Sequence, residues 1–354
     1  MDSLTIPGLV VAHTHLYSAL ARGMPPPRKK PENFPQILER VWWRLDRALD
    51  LDLIRTSARV GIAEAVRAGA TCLIDHHESP NAIEGSLDVI ADEMQRVGVR
   101  GVVAYGITAR NRGAEEWQAG LAENERFLKS NRRPLVRGMV GLHACFTLPD
   151  EAIGEAAAMA RAFKVGLHIH VAEDVVDKDA FVRLSRKRAL LPGSIYAHGV
   201  HLEEDEVKKL ADAGGWLVHN ARSNMGNAVG YARLGAAKDR VALGTDGWDG
   251  DILTEARALH ARASEAGDPV DVLGRIRAGR RLAETIFGGP IPDRVELDYD
   301  PPTPMADENE GMHLLFGAPR VAQVVVDGYA LSPDYDPAEA RKQAARLWLR
   351  MGEV

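Results

Sequence analysis

Eight short apolar runs recur along this chain, and most of them end in histidine or aspartate. They lie at 8–14, 70–75, 100–106, 136–142, 165–170, 194–198, 215–219 and 240–245. LVVAHTH closes on His13 and His15, TCLIDHH on His76 and His77, and MVGLH on His143. VGLHIHVAE carries His168 and His170, SIYAHGVH carries His198 and His201, WLVHN includes His219, and VALGTDG places Asp246 where a histidine could stand. Apolar runs of this kind read as strands of a buried parallel sheet. Between them, 51–69, 81–98, 114–130, 149–164, 177–189 and 203–213 read as helices. The first of these ends in Gly69, and the second runs from a candidate N-cap, Asn81, to Gly98. Eight strand–helix units with short connections predict an α/β chain closed into a (β/α)8 TIM barrel. An open doubly wound sheet is disfavoured, because no Gly-rich dinucleotide loop follows the first run. Metal-capable side chains at one end of strand after strand point to a site at the C-terminal mouth.

Two segments depart from the rhythm. Residues 17–50 make a long first connection, PPPRKK followed by an amphipathic helix with Trp42 and Trp43. Such loops commonly serve the site, so a roof is one reading and rim packing the other. Beyond a helical region at 251–288, residues 294–331 carry short β-rich runs with turn signals, and 336–352 read as a final helix. The expected layout is a barrel over 6–290 and a reduced β accessory segment with a helix over 291–354.

A net charge of −6 without a basic stripe argues against a nucleic-acid partner. Cys72 falls in a strand candidate and Cys145 just beyond one, and both read as reduced core residues. With no signal segment and no apolar run of membrane length, a cytoplasmic protein without a membrane partner is expected. His13 and His15 are two apart on one strand, so both rings face the same side and offer two nitrogen ligands to zinc or a similar ion. H-x-H alone is a weak signal. Its place at the end of the first strand, behind Pro7-Gly8 and with histidines at later strand ends, strengthens it.

PGLVVAHTH, LHIHVAED, AHGVHL, HNARSNMGNA and LGTDG, in that order, resemble the amidohydrolase superfamily in its deaminase and chlorohydrolase branch. LYSALARGM, WWRLDRAL, DHHESPNAIEGSLD, GLHACFTL and LDYDPPTP are similar to the SsnA-like aminohydrolases linked to selenium metabolism, over most of 6–331. The resemblance implies one divalent metal ion (zinc first, with iron or manganese as alternatives) on His13, His15, His170 and Asp246. It makes Glu173 the proton shuttle, His198 the group beside the attacking water, and Asp246 a catalytic residue as well as a ligand. His168 then lies one layer deeper in the core. The fourth strand ends in His143 where two-metal members carry a bridging lysine, so a single metal is implied. His143, Trp42 and Asn220 become candidate substrate contacts. His219, Ser223 and Asn224 would shape the pocket or hold its loop, and His76 or His77 would support His13 or His15.

The implied reaction is hydrolytic release of ammonia from an amidine-like carbon of a small N-heterocycle. A cyclic-amide or C–Cl hydrolase with the same metal site, and a catalytically silent metal-binding relative, are the alternatives. Two departures stand out. Only twelve residues precede His13, so the strands after 290 should lack their usual partners, and Ala221 replaces a common proline. Unpaired edges invite another subunit, so a homo-oligomer is expected.

Overall fold

The computed structural model describes residues 3–354. Eight barrel positions follow one another in chain order: β2 (Leu9–Thr14), β3 (Ala70–His77), β4 (Arg100–Tyr105), a fourth strand in two pieces, β5 (Val136–Gly138) and β6 (Val140–Ala144), then β7 (Leu167–Val171), β8 (Ile195–His198), β9 (Trp216–His219) and β10 (Val241–Leu243). All neighbouring pairs are parallel, in one run from β2 to β5 and another from β6 to β10. Two bridges join the runs into a ring, Ile107 with Leu142 and Thr14 with Asp246. At the second seam the His13 carbonyl accepts the amide N–H groups of Thr245 (2.8 Å) and Asp246 (3.1 Å). The chain is a (β/α)8 barrel.

Strand alternation sorts the side chains. Val10, Ala12, Cys72, Ile74, Val102, Ala104, Ile195, Trp216, Val218 and Ala242 form one cluster from six strands, which is the barrel interior. Val11, Leu73, Val103 and Leu243 pack outward, sharing a cluster with residues of the surrounding helices. Cys72 and Cys145 are buried and form no disulfide.

Several expected elements shift. The helix expected from Asn81 begins at Ser86 behind Gly85, whose φ of +80° suits glycine, while the Asn81 amide donates to the Arg47 carbonyl at 2.8 Å. The helical region at 251–288 is two helices, Ile252–Glu265 and Val272–Phe287, parted by a stretch containing Gly267 and Pro269.

The accessory sheet corrects a larger expectation. It has four antiparallel strands, in the order β1 (Ser3–Pro7), β11 (Arg294–Asp298), β12 (Arg320–Val326) and β13 (Tyr329–Ala330). The strands after residue 290 thus find a partner in Ser3–Pro7, directly ahead of the first barrel strand. Ile6 and Pro7, expected within the barrel, pair with Val295 and Arg294. The shortage of partners behind the expected homo-oligomer is met within the chain. Among the described residues, no helix is long and apolar enough to cross a membrane.

Candidate active site

The histidines reach the mouth by two routes. His76, His143, His168 and His170 follow the inward parity of their strands, as their neighbours Leu73, Leu142, Ile169 and Val171 pack outward. His13, His198 and Asp246 do not. Val11 faces outward, and the pairing of β2 with β3 slips between Val11 and Thr14. His198 shares the outward parity of Tyr196, yet its φ of +72° re-aims it. Asp246, beyond the end of β10, has φ +53°. Left-handed backbone at two non-glycine residues of one site is costly and marks a functional constraint.

Four ring or carboxylate ligand atoms, from His13, His170, His198 and Asp246, lie within 4.8 Å of one another. His15 joins them, its Nε2 lying 2.8 Å from Asp246 Oδ1 and 3.2 Å from His170 Nε2. His13 Nε2 lies 3.5 Å from the same oxygen. Ligands on one tetrahedral zinc ion sit roughly 3.4 Å apart, so these spacings suit a shared ion.

The other face of each ring is already committed. His15 Nδ1–H donates to the His76 carbonyl (2.6 Å) and His170 Nδ1–H to the His143 carbonyl (2.7 Å). His13 Nδ1 meets His168 Nε2 at 2.8 Å. Each bond leaves an Nε2 facing the centre, and that of His13 is buried without a partner. Imidazoles pinned this way, with one carboxylate, fit a borderline divalent cation. His13, His15, His170 and Asp246 could hold one.

Burial holds the His13 pKa down, to about 3. Burial also opposes protonation of His15, but its hydrogen bond to Asp246 and that carboxylate's charge outweigh it and raise the ring to about 9. Burial disfavours charge on Asp246 too, yet the His13 and His15 rings beside its carboxylate keep it well below the usual range. Its other oxygen accepts a hydrogen bond from the Ser223 hydroxyl.

Glu173 lies just beyond β7 and lines the cavity. Burial raises its carboxyl to about 7, against the pull of His198, whose Nε2 is 3.6 Å from Oε2. Asn227 donates to its Oε1 at 3.3 Å. His198 is oriented by Asn224, whose Oδ1 accepts from Nδ1 at 2.8 Å.

Above the centre, a cavity partly open to solvent is walled by Tyr17, Phe34, Trp42, Trp43 and Phe146 with His143 and Glu173. Trp42 comes from the long first connection, which forms a roof. Its ring lies where a side chain at Gly247 would stand, 2.2 Å from the position of a Cβ there.

Asn220 does not reach this cavity. It is fully buried, with Oδ1 turned toward Gly244, so the expected substrate contact is corrected to a position beneath the centre. His219 is buried as well, against the Tyr231 ring. Support for His13 and His15 comes from the His168 ring and the His76 main chain, while His77 bonds Ser79 instead.

Sequence reasoning missed a buried charged triad in the wall. Arg110 pairs with Asp46 and, at 2.6 Å, with Glu78, and its Nη1 approaches His143 Nε2 at 3.3 Å. Burial lifts Glu78 to about 8 while Arg110 opposes it. Glu78 directly follows DHH, and that adjacency was the available signal.

The description "Amidohydrolase family" matches residues 4–285. A 5-methylthioadenosine/S-adenosylhomocysteine deaminase of Halobacterium salinarum is 29% identical, over 99% of this chain and 88% of its own. A 5'-deoxyadenosine deaminase of Methanopyrus kandleri is 27% identical over 83% of this chain and 70% of its own. Among solved structures, an adenosine deaminase from Xanthomonas campestris with bound zinc superposes at a TM-score of 0.84 with 23% identity, covering 100% of this chain and 87% of that one. With four-fifths of its length inside that family match, and a barrel of the same fold carrying histidines and an aspartate at its mouth, the chain belongs to the amidohydrolase family.

Proposed function

We propose that this chain is a mononuclear, metal-dependent aminohydrolase that releases ammonia from an amino-substituted N-heterocycle. The observation that carries the reading is the convergence of His13, His15, His170 and Asp246 directly beneath a cavity into which Glu173 points. A divalent ion held there, zinc by preference, would supply Lewis acidity and lower the pKa of water to about 7.

The remaining work belongs to the chain. Glu173, near 7, is poised to take a proton from the attacking water and pass it to a ring nitrogen or to the departing amine. His198, fixed by Asn224, faces the same space and stabilises developing negative charge. Trp42 and the neighbouring aromatics offer flat surfaces to a planar ring, and His143 offers a polar contact.

The test is metal analysis of the purified protein, followed by ammonia release over a panel of heterocyclic amines that begins with 5'-deoxyadenosine and 8-oxoguanine. Glu173→Gln is expected to lower turnover by ~10²–10⁴ while leaving metal content unchanged. No ammonia from any amine with metal-loaded protein, or wild-type rates in that variant, would overturn the reading.

A further inference from the structure

The long first connection is tied down at three points by one helix, Pro337–Glu353. Near its start, the Leu20 carbonyl accepts a hydrogen bond from Trp348 Nε1 at 2.8 Å. Close to its end, Arg44 donates from Nε to the Met351 carbonyl at 2.8 Å, with a second bond from Nη2. At its end, Asp50 Oδ2 pairs with Arg346 and, at 2.6 Å, with Arg350. The same carboxylate caps the next helix, its Oδ1 accepting the Leu53 N–H at 3.0 Å. Leu347 and Met351 are buried in the cluster that holds Leu45 and Leu49.

Between these anchors lie Trp42, Trp43 and Asp46, which line the cavity. The roof is also held elsewhere: Trp42 fills the space over Gly247, the Asn81 amide bonds the Arg47 carbonyl, and Leu45 and Leu49 are buried in the main core. Its own small apolar cluster has three buried residues, Phe34, Leu38 and Val229. On the cavity side it is held by the Asp46–Arg110 pair.

We propose that the helix Pro337–Glu353 positions the substrate pocket, clamping the roof over the cavity from outside through Trp348, Arg346 and Arg350. These side chains touch the connection and not the cavity, so they are positioning residues. The contacts fall at the two ends of the connection, at Leu20 on one side of Trp42 and at Arg44 and Asp50 on the other. A helix that merely covered apolar surface would need only Leu347 and Met351. Paired charges that are partly exposed contribute little singly. Here they act on a segment whose alternative is to swing away from the mouth, which is a local opening and not global unfolding.

Hydrogen exchange on the zinc-loaded full chain tests this without any assumption about the reaction. Trp348→Phe, which keeps the ring and loses the donor, and Arg346→Ala/Arg350→Ala are each expected to speed exchange over 34–48 by about tenfold. The barrel strands should stay protected and the metal content equal. Arg346→Lys/Arg350→Lys should restore protection. Wild-type exchange over 34–48 in both variants overturns the proposal, as does a loss spread evenly through the strands. A second arm rests on the aminohydrolase reading: KM should rise while kcat holds. A fall in kcat at constant KM would count against the clamp, whereas no activity in the wild type would count only against that reading.

Discussion

His168 contributes nothing to the cavity, yet it decides how His13 faces the centre. A buried ring whose Nε2 meets His13 Nδ1 at 2.8 Å fixes which nitrogen of His13 is left for a cation. Partners of this kind are worth ~10–100-fold in metal affinity, so His168→Leu should weaken zinc binding by that factor in a chelator competition. Asp177 gives a prediction of another sort. It accepts the amide N–H groups of Ala172 (3.0 Å) and Phe146 (2.9 Å) beside the site, and burial raises it from 3.8 to about 7. The folded-state pKa exceeds the unfolded one, so its favourable share of stability is complete below pH 3.8 and lost as pH rises through 7. The melting temperature of the wild type minus that of Asp177→Asn should therefore fall between about pH 4 and pH 7 and level off above. A constant difference would mean that Asp177 does not titrate there. At this scale the sequence was legible where period-two alternation holds, as for His168 and His170. It was misleading for His198, which alternation places outward with Tyr196. A left-handed residue leaves no mark in an apolar pattern, and only the resemblance pointed inward.

Among the elements, strands were easier to read than the connections between them. Apolar runs buried on both faces announce themselves, whereas the helix after β3 starts where Gly85 permits φ +80° and not at the asparagine that looked like a cap. The break between β5 and β6 at Met139 directly follows Gly138, and a glycine inside a strand pattern is the one mark it leaves in the sequence. The first connection was expected to roof the site or merely pack the rim, and its Trp42 does line the cavity. Gly247, next to Asp246, leaves the space that this ring fills. Trp42→Ala should therefore raise KM about tenfold, the equivalent of ~1.4 kcal/mol of ring contact, with metal content unchanged. The triad of Arg110, Asp46 and Glu78 brings together the first connection, the end of β3 and the loop after β4. Parallel pairing of β2, β3 and β4 sets their C-terminal ends side by side and so joins residues far apart in the chain.

For the whole molecule, barrel and accessory sheet are joined by a buried bidentate pair. Arg100 on β4 donates to Asp293, just ahead of β11, at 2.7 and 3.1 Å, with both side chains buried. Removing one partner leaves a buried charge uncompensated, so Arg100→Met should cost about 3–5 kcal/mol in denaturant unfolding. A value under about 1 kcal/mol would mean that water reaches Asp293 freely.

The seam that closes the barrel runs through the His13 carbonyl, which takes the amides of Thr245 and Asp246, so first and last strands meet at the candidate ligands. Until β10 docks, Asp246 is absent from the pocket and the histidines face an incomplete set. Nascent or partly refolded chains should then bind zinc weakly and switch abruptly to tight uptake once the circle is finished. A zinc-sensitive dye would thus time the last step of refolding.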